Sequence, residues 1–521
     1  MKKRKCIIAK VMSFVLMMTM ILSLTACGGS SSADAGYKEE LHIAFSAQPS
    51  TLDAQISSAS SVRQITRAVY ESLVALNTSY EAVPELAESV DVNDDSTEFV
   101  FHLRKDVKFH NGEEMKADDV VASMNRWIEK FGNAKTLVGE ARFVKQDDYT
   151  VSITMDKPCI SFLNAIAGAK QVAAIMPASV IAGADDSGVK EYIGTGPYKF
   201  VEWKQDQYIL LEKFDSYSPV DKPSDGYSGK KEALTEKVYF DIVSDASTRL
   251  SGIQTGEYDI AANLAIDNYS LIESNPELVT DTELSMAMQV ILNKQQGLCA
   301  NEKFRQGIAA ALNMDDILLG AFSNSKFYRA DSSYMFKEQT AWYSTQGSEY
   351  YNQKNTEKAK KLIKESGYNG EDFTLIVSQA YPEFYNSGIV IKNQLDAIGV
   401  NVKLQVVDWA TQQQLMTQPD KYDGFITGFT PVTSPTDLLY LSSNWAGWTT
   451  DSEIQNLVSE INEAKTQSEA QQIWQNLQKI CWEKMPVIKL GDSYSFGAHS
   501  SNVEGFTNFM GPIIWNVRVK A

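Results

Sequence analysis

The sequence is poor in the residues that most often carry chemistry by themselves. Five Cys in 521 residues are too few for a disulfide scaffold. Cys159, Cys299 and Cys481 are far apart and show no Cys-x-x-Cys spacing, so three buried free thiols are expected, with one disulfide and one free thiol as the alternative. The four His (His42, His102, His110, His499) form no His-Glu-x-x-His or similar pattern, so neither a metal nor another cofactor is called for. Cations are in deficit, 48 Lys+Arg against 66 Asp+Glu for a net charge of −18. That balance excludes a nucleic-acid partner, whose phosphates need a basic face. Fixed-period repeats are missing, as are Gly-x-Ser-x-Gly and Cys/His nucleophile arrangements. Long apolar runs are missing too: residues 11–24 form a run of 14, against the roughly 20 needed to span a bilayer.

What is present begins with an address. Lys2, Lys3, Arg4 and Lys5 precede that apolar run, which fits the h-region of a secretory signal. Leu24-Thr25-Ala26-Cys27 follows and resembles the bacterial lipobox, in which the Cys sulfur receives a diacylglycerol and the chain is cut before it. Residues 28–36, GGSSSADAG, read as a flexible tether. Cleavage would leave 495 residues and, with five cations lost, a net charge of −23. Such a body is tied to the membrane through acyl chains at Cys27, does not cross it, and is repelled by anionic lipid.

Helix-like and strand-like patterns alternate along the rest, the mark of an α/β chain. Residues 116–131 place Val120, Val121, Met124, Trp127, Ile128 and Phe131 on one helical face, with Asp118 and Asp119 in the first turn, where the helix dipole favours carboxylates. Residues 355–366 read as a second amphipathic helix capped by Asn355 and ended by Gly367. Strand 373–378, helix 389–398 and strand 400–406 make a βαβ unit, with Val400, Val402, Leu404 and Val406 expected to face inward. Residues 451–483 read as helical and 486–490 as a further strand.

Several ordered segments resemble the extracytoplasmic solute-binding proteins of ABC importers, the large peptide and nickel class (family 5). They are residues 99–124 (FVFHLRKDVKFHNGEEMKADDVVASM), 193–219, 301–318, 355–368, 393–408 and 422–429. The resemblance spans nearly the whole processed chain. It implies a two-lobed periplasmic-binding-protein-like fold (type II, cluster C) with an extra inserted domain and a hinged ligand cleft. It also implies a discontinuous domain I (37–80, 195–285 and 491–521), an inserted domain II (81–194) and a domain III (286–490). Partners would be a small solute, by class a peptide, and the permease and ATPase of an importer; the protein would act as a monomer.

Gly194, Gly196 and Pro197 suit a hinge, since glycines permit unusual backbone angles and Pro197 then fixes the next. Three loops would face the cleft. Residues 47–60 offer Ser57, Ser58 and Ser60, and Asn263 follows a short strand. The loop 429–437 offers Phe429, Thr430, Thr433 and Ser434, and Tyr381 joins Trp409, Trp445 and Trp448 as aromatic candidates. Peptide-binding members often carry Gly-Trp-x-x-Asp in the third loop, the Asp neutralising the peptide's ammonium. Here that position is Val432. A buried ammonium would then need another carboxylate, which leaves room for a nickel chelate, an opine or a glycoside. A carboxylate-pair hydrolase and a cleft-based chaperone are the readings from other classes.

Overall fold

The computed structural model describes residues 36–168 and 170–521, so the leader, Cys27 and nearly all of the tether lie outside the described residues. One sheet of eleven strands runs through most of the molecule. At one end, Glu40–Phe45 lies parallel to Lys237–Ile242 and to Ile260–Ala261. At the other, Asp372–Ser378 lies parallel to Asn401–Val407 and to Gly424–Phe429. The two ends are joined by an antiparallel ribbon of two long strands, Leu278–Leu292 and Val487–Ser500. Its ladder shifts register between Leu284 and Met286 and between Met288 and Gln289. Such irregularities bend a ribbon and sharpen its twist, so the crossing between the lobes is a bent one.

Three hydrophobic cores result. The largest lies under the Asp372–Asn401–Gly424 end and includes the fully buried Trp474 and Trp482. A second lies under the Glu40 end. A third fills a unit with its own four-stranded antiparallel sheet (Ala87–Val92, Glu98–Leu103, Thr150–Thr154, Val144–Asp147). That third core also takes Leu73, Val74, Tyr227, Phe509 and Trp515, so the inserted unit is rooted in its neighbours. Its helix Ala117–Lys130 buries Val120, Met124, Trp127 and Ile128, while Val121 and Phe131 stay half-buried. The Asp119 carboxylate accepts from Lys116 N at 2.9 Å, satisfying a free donor at the helix start.

The helix Thr356–Glu365 is capped by Asn355, whose side chain accepts from Lys358 N. The βαβ unit forms through the helix Pro382–Asp396. Val406 is 44% exposed, because Asn401–Val407 is the edge of the sheet. The expected helix over 451–483 is two helices, Ser452–Glu463 and Gln467–Lys484. The short expected strand at 486 runs on to Ser500 as half of the ribbon. Cys159, Cys299 and Cys481 are free and buried. No helix among the described residues is long and apolar enough to cross a membrane.

Gly194 and Gly196 answer to close approach and not to unusual angles. Neither has a left-handed φ; a Cβ would meet Val69 O at 2.1 Å and Ala68 O at 2.3 Å respectively. His110 clamps the same segment: its Nδ1 accepts from Gly194 N at 3.2 Å and its Nε2–H donates to Gly196 O at 3.0 Å. Burial pulls this imidazole down to about 4, so it stays neutral. The Phe-His-x-Gly motif thus builds a packed joint between the inserted unit and the lobe beside it.

Candidate functional site

Parallel strands leave their loops at the C-terminal edge, where ligands bind in open α/β sheets. In one lobe that edge is Phe45 and Ala261, and in the other Ser378, Val407 and Phe429. The loops after these ends carry every residue singled out above as a ligand candidate.

The structure does not treat them alike. Residues 52–55 of loop 47–60 form a buried plug: Asp53 accepts from Arg126 at 2.6 and 3.2 Å and from Val189 N at 3.0 Å. Gln55 donates to Ser123 O and Ala174 O. Beyond the plug Ser57 is half-buried and Ser58 and Ser60 are exposed. Arg63 ties it down, donating to Ser58 O at 2.7 Å and to Ser60 Oγ at 3.3 Å. In the opposite lobe Thr430 is exposed, whereas Thr433 and Ser434 are buried. Ser434 Oγ accepts from Thr436 N at the start of a short turn of helix. Phe429 packs its ring against Tyr440 and Trp445 at 5.3 and 5.5 Å. Tyr381 packs against Phe384 and Trp409 at 5.0 and 5.1 Å. These two rings build the lobe's wall, each with core neighbours of its own.

Asn263 lines a cavity. It sits at φ 53°, donates to Ser46 Oγ at 3.1 Å, and shares a pocket with Gln64, Asp281, Glu283, Ser495 and Asn508. The pocket has about 410 Å³ of empty space, of which about 30 Å³ is open to the centre of a water molecule. Its floor is the ribbon, through Asp281 and Glu283 on one strand and Ser495 on the other. Asp281 is paired with His499 across the ribbon at 2.7 Å. Glu283 accepts from Gly511 N–H, and burial pushes its carboxyl up to about 7. Gly511 can serve because it has no side chain: its φ is 125°, and a Cβ would lie 2.3 Å from Gln64 Cγ.

Sequence reasoning missed Glu283, Gln64, Asp281 and Ser495. The available signal was that the expected boundary at 285/286 makes the chain cross between lobes there, and a crossing strand runs beneath the cleft.

The inserted unit also meets the lobe of residues 286–490 at a rim. Lys465 Nζ pairs with Asp95 at 2.8 Å, Ser96 Oγ donates to Lys465 O at 2.9 Å, and Thr340 Oγ1 reaches Glu81 at 3.5 Å. Asp437, pushed up by burial, is drawn back by the charge of Lys170, so the loop after Phe429 faces the inserted unit. Among the described residues no group of three or more His, Cys, Asp or Glu side chains is placed to hold a metal ion.

A family model described as bacterial extracellular solute-binding proteins, family 5 Middle, matches residues 81–453. The chain is 27% identical over 483 residues to the "Probable peptide ABC transporter periplasmic-binding protein y4tO" of Sinorhizobium fredii, covering 87% of this chain and 88% of that one. Among solved structures it is similar to AgaA from A. tumefaciens R10 in complex with agropinic acid, with 26% identity, a TM-score of 0.72 and coverage of 92% and 99%. It is similar also to AppA from Bacillus subtilis in complex with a nonapeptide, with 22% identity, a TM-score of 0.72 and coverage of 93% and 99%.

Proposed function

Because the chain belongs to the bacterial extracellular solute-binding proteins of family 5 and has their type II periplasmic-binding-protein fold, we propose that it captures a small solute in the cleft between its lobes and delivers it to an ABC importer. The observation that carries this reading is the family match over 81–453. It is supported by a bent two-stranded ribbon between two sheet edges of the kind that bind ligands. Such a joint lets two rigid lobes close on a ligand by small changes in a few residues. The role has no chemical step.

The solute class we favour is a peptide, as the name of y4tO suggests; the agropinic acid held by AgaA keeps opines as the second class. The working division is domain I from 37–80, 195–285 and 491–521, domain II from 81–194 and domain III from 286–490. Ser57, Ser58, Ser60, Asn263 and Thr430 are then the polar groups nearest the solute. The protein acts as a monomer, held at the outer face of the cell membrane by acyl chains on Cys27, with the importer's permease and ATPase as partners.

The test is thermal melting of the protein truncated before Tyr37, against libraries of peptides, opines, glycosides and nickel chelates. A true ligand at 100 times its Kd stabilises the fold by about 2.7 kcal/mol. A melt unmoved by every class would overturn the receptor reading. For the anchor, Cys27→Ala is expected to move the protein from the membrane fraction to the soluble one.

A further inference from the structure

We propose that Glu283 is the counter-charge for an ammonium group on the solute, with that group seated in the pocket between the ribbon and the loop around Gly511. The inference rests on the receptor reading and adds to it the chemistry of one end of the ligand.

The first support is position. Glu283 lies on the bent ribbon, beside Asn263 and Gln64, in a pocket at the C-terminal edge of the lobe's parallel strands. The second is an unmet charge. Its hydrogen bond comes from a backbone N–H, that of Gly511, and among the described residues no Lys or Arg pairs with it. Its acidic neighbour on the same strand, Asp281, already has His499. A half-buried carboxylate without a cation is costly unless it takes up a proton or a partner; its raised pKa expresses the same lack. The third is the chemistry of the lining. An ammonium offers three donors and accepts nothing, and the pocket supplies a carboxylate, the amide oxygens of Asn263 and Asn508 and the Ser495 hydroxyl. Together these answer the deficit created by Val432. The carboxylate that Val432 does not provide is supplied from the ribbon.

The experiment compares an equimolar library of tri- and tetrapeptides with free N-termini against the same library N-acetylated. Both are titrated into the wild type, Glu283→Gln and Glu283→Asp and read by calorimetry. Gln keeps an oxygen to accept from Gly511 N–H, and the Asp variant preserves the charge should the Gln variant fold poorly. A charge-assisted hydrogen bond of about 1.5–3 kcal/mol corresponds to roughly 10–100-fold in affinity. Acetylation alone and Glu283→Gln alone are each expected to weaken binding by that factor, and the two together by little more. Equal binding of free and acetylated peptides would overturn the inference and leave the receptor reading standing. Additive losses would overturn it too, since the two groups would then act apart. If neither library binds and other solutes do, an ammonium-free ligand that binds the wild type and Glu283→Gln alike sinks the proposal. Silence from every solute class removes both.

Discussion

Burial raises the pKa of two carboxyl sites in this protein that sit in opposite settings. At the joint between the inserted unit and its neighbouring lobe, Lys231 Nζ pairs with Glu71 and Glu85, each at 2.8 Å. Thr195 and Tyr217 also donate to Glu71, at 3.0 and 2.8 Å. One lysine cannot balance two buried carboxylates, so the better-bonded Glu71 is held down while burial pushes Glu85 up to about 7. The trio is sealed and, with Glu85 protonated, neutral. Glu283 also sits at about 7, but it lines a pocket and, among the described residues, pairs with no Lys or Arg. A raised carboxyl in a closed network is structure. One that opens on a cleft is a site waiting for a partner.

Removing the lysine separates the two most sharply. Lys231→Met leaves Glu71 and Glu85 buried without their cation, and breaking a buried network in this way costs about 3–5 kcal/mol. Chemical denaturation should show that loss, whereas Glu283→Gln should leave stability at neutral pH unchanged or slightly higher. A loss under about 1 kcal/mol for Lys231→Met would mean that the trio is not the sealed network described.

The pH dependence is the next largest effect. In the folded chain both Glu85 and Glu283 keep a proton that the unfolded chain releases near the ordinary glutamate value of 4.5. The native state therefore binds more protons between about pH 5 and 7, and stability falls as pH rises through that window. Glu85 faces Lys231 and Glu71. Glu283 faces Gly511 N–H, Asp281 on its own strand, His499 across the ribbon, and Tyr80 and Tyr227 from the lobe. Glu283→Gln should remove one of the two contributions and flatten the melting-temperature profile without abolishing its slope. An ammonium ligand favours the ionised form of Glu283, so its affinity should rise from pH 5 to 7 in the wild type and stay level in the Gln variant. A wild-type affinity that falls over the same range would set Glu283 beside Glu85, as structure only.

The two sites also differ in how far they were legible. Local patterns carried the helices: periodicity and Asn355 located Thr356–Glu365, and the acidic first turn located Ala117–Lys130. The parallel pairing of Asp372–Ser378 with Asn401–Val407 followed from their spacing around one helix. The ribbon was hidden because its two halves live in different surroundings. The stretch from Leu278 to Leu284 is half-open under the cleft, whereas Ala287 to Leu292 is buried, so no single alternation runs through it. Glu283 was hidden for a related reason. The N–H that holds it belongs to Gly511, 228 residues away, and no spacing along the chain announces such a meeting. Burial is hard to read in the same way: Thr433 and Ser434 are short hydroxyl residues in a loop, yet they lie packed within the lobe.

The smallest expected effect comes from a third kind of charge, one that neither seals a joint nor faces the pocket. Lys465 and Asp95 meet at the rim at 2.8 Å, with side chains 62% and 58% exposed. In water such a pair is screened and spends side-chain entropy to form, so it cannot hold the lobes shut. Lys465→Ala leaves the Lys465 backbone oxygen in place to accept from Ser96 Oγ. Solute affinity should therefore change by less than about fivefold, and the small loss should vanish at high salt. A larger, salt-resistant loss would mean that the rim contact, and not the charge on the cleft floor, governs closure. The contrast between Glu85 and Glu283 would then have to be drawn again with Asp95 on the functional side.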